Sequence, residues 1–181
     1  TSVEKMIING TVDSLMWLKN FPQVKELYIS PECSLEDAEA FDNLTNLEKL
    51  VINCKDFENI DFLKNCVNIK KLNIQFLGAP VNNLEGFKYL TKLEELDINV
   101  DDPGISNCKK LKNLTIKNSG IISPLLKNLK NCSALENIDF VMSDNLNEDL
   151  AINFNKLNFY GITKLKRVNL NFKQSRYSEE N

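Results

Sequence analysis

The sequence predicts an α/β solenoid, a curved right-handed coil with about eight short parallel strands on its concave face and loops, short turns or helices on its convex face. Two observations lead to this fold class. An apolar pattern recurs eight times along the chain, and a charged position inside the pattern alternates in sign from copy to copy. The length agrees, since 181 residues suffice for one continuous core but not for several independent domains.

The strands are predicted from a six-residue pattern with apolar residues at its first, fourth and sixth positions. A strand of this kind and the segment that follows it cannot bury their apolar sides alone, so the copies must stack and share one core. Most copies start 21 to 24 residues after the previous one, and the extremes are 18 and 30. The eight copies begin at Val3, Val24, Leu47, Ile69, Leu93, Leu111, Leu135 and Leu165.

These hexads resemble the strand segments of leucine-rich repeat proteins, and the resemblance covers residues 3–172. It implies a leucine-rich repeat domain over residues 1–172, followed by a polar tail over residues 173–181 that we expect to fray. It also implies that a protein or peptide is bound on the concave face of the solenoid.

The repeats combine features of different subtypes. Residues 28–47 are similar to BspA-like repeats, whereas residues 47–69 are similar to the repeats of internalins and of phosphatase-regulatory proteins. The ninth position departs from the family pattern, because its usual ladder-forming Asn is replaced by residues such as Glu32 and Lys55. The loops after the strands therefore need other partners for their backbone groups.

The stacking register is predicted by the residue that follows each opening apolar residue. Its charge alternates between acidic and basic, and parallel stacking makes successive copies nearest neighbours. Unlike charges side by side attract, so this column favours in-register stacking. The alternative is that Glu and Lys are simply common at exposed strand ends. The column consists of Glu4, Lys25, Glu48, Lys70, Glu94, Lys112, Glu136 and Lys166.

Side-chain alternation along each strand determines which positions face the core. The fourth and sixth positions point inward, and the third, fifth and seventh point to the concave face. The eighth position has inward parity and is mostly apolar, with Phe76 and Phe172 among its residues. These aromatic side chains could form a ligand platform, but their parity favours burial.

The fifth and seventh positions supply the candidate ligand-binding residues. In the first three copies the fifth position is apolar or aromatic, whereas in the later copies it is polar or acidic. An outward apolar patch is a candidate partner site, and Tyr is common in interfaces; alternatively, such residues merely suit a strand surface. The candidates are Ile7, Tyr28, Val51, Asn53, Asn73, Gln75, Asp97, Asn99, Thr115 and Asp139.

The return segments between the strands are predicted to be only partly helical. Residues 13–18 and 59–63 can each form one or two turns, with the first residue of each segment as a candidate N-cap. Apolar residues at helical spacing predict a helix over 147–157. The shortest step, across 101–104, leaves room only for a tight loop.

The five cysteines include no close C-x-x-C pair, which argues against a disulfide scaffold and against a zinc ribbon. Cys66, Cys108 and Cys132 each lie three residues before the apolar residue that opens a hexad. Leu44 and Leu90 hold the same position in other copies, so these three thiols are predicted to be buried small hydrophobes. A reactive or bridged role is the alternative.

The composition argues against catalysis and against nucleic acid as a partner. The chain has no His, which excludes Ser-His-Asp and Cys-His nucleophile systems and His-ligated zinc. Lys and Arg total 22 and Asp and Glu total 25, giving a net charge of -3, so no strongly basic surface is required. Acidic pairs such as Glu94 and Glu95 are typical of solvated surface. We therefore expect no enzyme activity, no cofactor and no metal.

The function predicted is a non-catalytic module that binds a protein or peptide on its concave face. The alternative, which the BspA-like similarity implies, is a spacer or display segment of a larger cell-surface protein. No signal peptide or membrane-inserting segment is evident, and both cytoplasmic and secreted locations stay open. Neither end shows a capping element, so we expect a piece of a longer array whose open edge would allow self-association.

Overall fold

The computed structural model contains one sheet of eight parallel strands, each hydrogen-bonded to the next in chain order. It describes residues 2–30, 38–54, 59–77, 83–100, 104–118, 129–142 and 159–172. Parallel neighbours in chain order require one coil of the chain for each strand, which confirms the predicted solenoid. The strands are β1 (Lys5–Ile8), β2 (Glu26–Ile29), β3 (Lys49–Cys54), β4 (Lys71–Phe76), β5 (Glu95–Ile98), β6 (Asn113–Asn118), β7 (Asn137–Met142) and β8 (Arg167–Phe172).

The strands stack so that equivalent hexad positions are neighbours. Leu50, for example, pairs with Leu27 on one side and with Leu72 on the other. The backbone N–H of Lys25 donates a hydrogen bond to the carbonyl oxygen of Glu4 at 2.7 Å, and every later coil repeats this bond at 2.8 or 2.9 Å. The inward fourth and sixth positions are buried from β2 to β7, and they form the core of the solenoid.

Short 3₁₀ helices connect the strands in the first half of the described chain. They form because apolar residues recur every three positions, and a 3₁₀ helix has three residues per turn. Ile60, Leu63, Cys66 and Ile69 are such residues; all are buried, and each after the first donates its N–H to the carbonyl of the one before at 3.0 or 3.1 Å. The helices are η1 (Met16–Asn20), η2 (Ala38–Phe41), η3 (Asp61–Asn65) and η4 (Glu85–Tyr89).

Side-chain oxygens hold the starts of these segments. The Oδ1 atom of Asn59 accepts a hydrogen bond from the N–H of Asp61 at 2.9 Å, but the N-cap of η3 is Ile60, one residue after the predicted cap. In the first segment the Ser14 hydroxyl, one residue after the expected Asp13, accepts from the N–H of Met16 at 3.2 Å. Both acceptors lie two residues before the donor, which is the spacing at which a short polar side chain reaches the backbone.

Neighbouring 3₁₀ helices pack closely because large and small residues occupy equivalent positions in successive coils. Trp17, Ala40, Phe62 and Gly86 hold one such position. A Cβ atom at Gly86 would overlap with the carbonyl oxygen of Ile60 and would lie 2.9 Å from its Cγ1 atom. The close approach of η4 to η3 therefore requires glycine, beside the bulky Phe62.

The three thiols that precede hexads are buried, as predicted, and none of them is bridged. Burial raises the pKa of Cys66 and of Cys108 to about 12 and that of Cys132 to about 11. Each Sγ atom faces a carbonyl oxygen of the preceding coil, at 3.5 Å for Cys132 and Ile105. A raised pKa keeps a thiol protonated at neutral pH, so these cysteines are poor nucleophiles.

Several predictions concern residues outside the described part of the chain. These are the helix over 147–157, the tight loop before Gly104 and the tail over 173–181. The predicted domain boundary between residues 172 and 173 depends on this tail and also stays a prediction. Of the two aromatic residues named at the eighth position, the structure describes the side chain of Phe76. It is partly buried against the core, as its parity predicts.

Candidate functional site

The charged column at the strand starts forms ion pairs between successive coils. Each basic residue contacts the acidic residue of the preceding coil, with 2.8 Å between the Lys Nζ atom and a carboxylate oxygen. These contacts confirm that the alternating charges match the stacking register. Because the side chains are exposed, we assign them to the choice of register rather than to stability. The pairs are Lys25–Glu4, Lys70–Glu48, Lys112–Glu94 and Lys166–Glu136.

Nine of the ten candidate residues lie on strands, on the face of the sheet opposite the core, which we call the concave face, and Asn99 directly follows β5. The register places Ile7 beside Tyr28 and Tyr28 beside Val51, so the predicted apolar patch is contiguous. Within it, Ile7 is 59% exposed. The candidates on later strands are polar and partly buried. Their role in binding a ligand stays a prediction.

Tyr28 is held by charged neighbours. Its hydroxyl donates a hydrogen bond to Oε2 of Glu26 at 2.9 Å, and this bond is the main cause of the lowered pKa of Glu26. The ammonium groups of Lys5 and Lys49, on the strands to either side, lie 5.1 and 5.2 Å from the centre of the ring, within cation–π range. Lys5 also pairs with Glu26 at 3.6 Å. The ring is therefore fixed in place between β1 and β3.

Asp97 is the centre of a polar network on β4, β5 and β6. Its Oδ2 atom accepts hydrogen bonds from the amide of Asn73 at 3.2 Å and from the ammonium of Lys117 at 2.7 Å. Its Oδ1 atom accepts from the amide of Gln75 at 3.1 Å, and Gln75 also bonds Asn73 at 3.1 Å. The structure thus brings three of the candidates together and adds Lys117, a seventh-position residue that the candidate set omits.

Asn99 extends the ladder between strands where β5 ends. Its Oδ1 atom accepts from the N–H of Phe76 and its Nδ2 atom donates to the carbonyl of Phe76, both at 2.8 Å. The side-chain amide therefore acts as a peptide group beyond Ile98, the last residue of β5. Both polar groups of this candidate residue are engaged in the fold.

Other Asn side chains also bond the backbone of the preceding coil. The Nδ2 atom of Asn46 donates to the carbonyl of Pro22 at 2.9 Å, and that of Asn68 donates to the carbonyl of Thr45 at 2.7 Å. These residues precede hexads in consecutive coils, so they form a short ladder on the loops that lead into the strands. They bond backbone carbonyls before the strands, not in the loops after the strands that a ninth-position Asn would serve.

A depression of about 350 Å³ lies on the concave face across β3 to β6. Lys49 and Lys71 line it on β3 and β4, and Glu95 lines it on β5, where it pairs with Lys71 at 2.9 Å. These three residues occupy the third hexad position, which the candidate set left out. Outward parity, which the third position shares with the fifth and seventh, was the signal that could have identified them. Candidates in the lining are Val51, Asn73, Asp97 and Thr115.

The described residues form neither a metal-binding cluster nor a membrane-spanning helix. No group of three or more Cys, Asp or Glu side chains in this part of the chain is placed to hold a metal ion. Among the helices that the structure describes, none is long and apolar enough to span a membrane.

No protein-family model and no curated protein matches this sequence. The solved structures similar to the chain include two internalins. An internalin (inlF) from Listeria monocytogenes has a TM-score of 0.53 and 22% identity, over 91% of this chain and 59% of the internalin. An internalin C2 (inlC2) from the same species has a TM-score of 0.54 and 17% identity, over 93% of this chain and 80% of that one.

This similarity, together with the parallel strand array, shows that the fold is a leucine-rich repeat solenoid. The predicted likeness to internalins is confirmed at the level of the fold. The likeness to BspA-like and phosphatase-regulatory repeats stays a prediction. The chain spans 59% of the length of the first of these two structures.

Proposed function

We propose that this leucine-rich repeat chain is a non-catalytic module that binds a protein or peptide on its concave face. The observation that carries the proposal is the apolar patch of Ile7, Tyr28 and Val51, which lies contiguous and outward on a preformed sheet. When a partner covers apolar side chains in that position, their removal from water lowers the free energy of the complex. The fixed Tyr28 ring would lose little conformational freedom on binding, which favours affinity.

A second candidate function is a spacer or display segment of a larger cell-surface protein. The observation that favours it is that most charges of the concave face pair within the chain, as Asp139 does with Arg167 at 3.1 Å. A surface whose charges are neutralised internally stays hydrated without a partner. A spacer, however, has no need of an exposed apolar patch on one end of the sheet.

A selection experiment separates the two functions. The intact chain is immobilised and used to select binders from a phage-displayed library of random peptides, and enriched clones are tested on two variants. Tyr28→Ala alters the concave face. Tyr89→Ala is the matched control on η4, because Tyr89 is also partly exposed and also has a Lys ammonium 5.2 Å from its ring.

The proposal expects enriched clones that lose at least about tenfold in affinity on Tyr28→Ala, or about 1.4 kcal/mol, and bind Tyr89→Ala as they bind the original chain. Failure to enrich any clone would favour the spacer. Clones that depend on Tyr89 and ignore Tyr28 would place binding on the convex side and contradict the proposal.

A further inference from the structure

Lys49 differs from the other cations of the concave face. Each of those cations pairs with a carboxylate on a neighbouring strand. Lys49 occupies the same third-position column but forms no ion pair with any carboxylate in the described part of the chain. A cation that forms no ion pair, on a surface rich in such pairs, is a candidate contact for an external anion. The internal pairs are Lys5–Glu26, Lys71–Glu95, Lys117–Asp97 and Arg167–Asp139.

The neighbours of Lys49 do not neutralise it. The register places it between Glu26 on β2 and Lys71 on β4. Glu26 and Glu95 both attract Lys49, but Glu26 is hydrogen-bonded to Tyr28 and paired with Lys5, and Glu95 is paired with Lys71. Lys71 carries the same charge as Lys49, and like charges side by side on adjacent strands repel. A carboxylate placed over Lys49 would give it a counter-ion and would reduce its repulsion with Lys71.

The ammonium group of Lys49 is also positioned for an external contact. It lies 5.2 Å from the centre of the Tyr28 ring, which holds it without supplying a full negative charge. It lines the concave depression at the start of β3. A partner group that enters the depression therefore meets a cation that is already placed.

Apolar surface adjoins this cation. Val51 follows Lys49 by two residues on the same strand, and Tyr28 and Ile7 continue outward from Val51 across β2 and β1. Side chains two residues apart on an extended strand are separated by about 7 Å. An extended peptide has the same repeat, so an acidic and an apolar side chain separated by one residue would match Lys49 and the patch.

We propose that the first strands of the concave face recognise an extended peptide segment in which one residue separates a carboxylate-bearing residue from a residue with a large apolar side chain. The carboxylate binds Lys49, and the apolar side chain covers Ile7, Tyr28 and Val51. The carboxylate comes from Asp, from Glu or from the end of a chain. The inference rests on the proposed function and narrows its partner to one chemical class. Glu26 and Glu95 flank the site, and they disfavour a polyanion such as nucleic acid.

The test uses a peptide array in which two central positions, separated by Gly, carry every pair of the twenty amino acids. A second set ends at the Gly that follows the first variable position, with either a free carboxylate or an amide. The fluorescently labelled intact chain is applied at low salt and again at high salt. The proposal expects the strongest signals where Asp or Glu is paired with Phe, Tyr, Leu or Ile, and weaker signals at high salt because screening weakens the ion pair.

The variants identify the contact. For the strongest Asp peptide, Lys49→Gln is expected to lower the affinity roughly tenfold. Replacement of the peptide Asp by Asn is expected to lower the affinity by the same factor. The two changes together are expected to lower the affinity no further than either change alone. Lys70→Gln is the matched control, because Lys70 lies on the next coil and already pairs with Glu48 at 2.8 Å. It is expected to leave the affinity unchanged. The free-carboxylate set shows whether the acid belongs to a side chain or to a chain end.

Preference for basic or uncharged peptides, or equal loss from Lys49→Gln and Lys70→Gln, would overturn this inference while leaving the binding function in place. Absence of signal on the whole array, with successful phage selection, would overturn it as well. Failure of both the array and the selection would contradict the proposed function itself. Circular dichroism melting of each variant verifies that the fold is unchanged.

Discussion

The concave face has two parts whose polar groups are used differently. On β1 to β3, the apolar patch faces outward and Lys49 lacks an internal carboxylate in the described chain. On β4 to β6, Asp97 accepts hydrogen bonds from Asn73, Gln75 and Lys117. The first part offers an apolar surface and a cation to a partner, whereas the second part satisfies its own groups.

This difference shows that one repeat pattern leaves outward side chains free of internal ion pairs in some of the described coils and engaged in others; under the proposed function, the first kind serves recognition and the second serves stability. The hexad determines which positions point outward, but the neighbour on the next strand determines whether an outward side chain is engaged. Substitutions on β4 to β6 should therefore lower stability, and substitutions on β1 to β3 should lower binding. Four substitutions test this comparison, in order of decreasing expected effect. The first disturbs the stacking of the coils beneath the second part.

Gly86→Val should have the largest effect. The added side chain would overlap with the carbonyl oxygen of Ile60 and force η4 away from η3. We expect the free energy of unfolding to fall by about 3 kcal/mol, as for other overpacked sites. Chemical denaturation measures it, with Lys88→Ala on the exposed side of η4 as the control. Equal stability of Gly86→Val and the original chain would show that the coils are less closely packed than described.

Asn99→Ala should have the next largest effect. It removes the two hydrogen bonds that join the Asn99 side chain to the backbone N–H and carbonyl of Phe76. We expect a loss of about 2 kcal/mol and faster hydrogen exchange at the Phe76 amide. Asn9→Ala, at the same hexad position of the exposed first coil, is the matched control. Unchanged protection of the Phe76 amide would refute the ladder role of Asn99.

Asp97→Ala should cost less, about 1 kcal/mol, because the donors that it releases can turn to water. The three donors are Asn73, Gln75 and Lys117. The measurement is the thermal unfolding midpoint, compared with Glu94→Ala at the exposed start of β5. If the Asp97 variant lost peptide binding but no stability, the second part of the face would be a recognition surface after all.

Tyr28→Phe should have the smallest effect on stability. Its main consequence should be a change in the pKa of Glu26. Removing the hydroxyl takes away the hydrogen bond that lowers the pKa of Glu26, so that pKa should rise toward its ordinary value of 4.5. A lowered folded-state pKa stabilises the chain above the ordinary value, and this contribution is lost as the pH falls through the lowered value. The variant should therefore lose less stability on acidification. NMR titration of the Glu26 side chain measures the shift, and an unchanged pKa would contradict the described contact.

Much of the fold was predictable because it depends on patterns that repeat. The alternation of side chains on a strand places Leu50 inward and Val51 outward, and the charge column fixes the register. The buried Cys66 was predictable because Leu44 holds the same position in another coil. These inferences need only the spacing of residues, which the sequence shows directly.

The partners of individual outward side chains were not predictable in the same way. The role of Asn99 depends on β5 ending at Ile98 while β4 continues to Phe76, a difference that the hexad does not encode. Lys49 forms no ion pair in the described chain because Glu26, its neighbour on β2, is already engaged by Tyr28 and Lys5. Such outcomes follow from competition among several neighbours, and the competition is decided only when the coils are stacked.

The most direct test of the central claim is an NMR titration of the isotopically labelled chain with the strongest peptide from the array. If the first part of the concave face is the binding surface, the backbone amide shifts will concentrate in β1, β2 and β3, with smaller changes in β4. The chemical shifts of the backbone amides of η1 to η4 and of β7 will remain unchanged. Shifts concentrated in the 3₁₀ helices, with β1 to β3 unchanged, would contradict the claim.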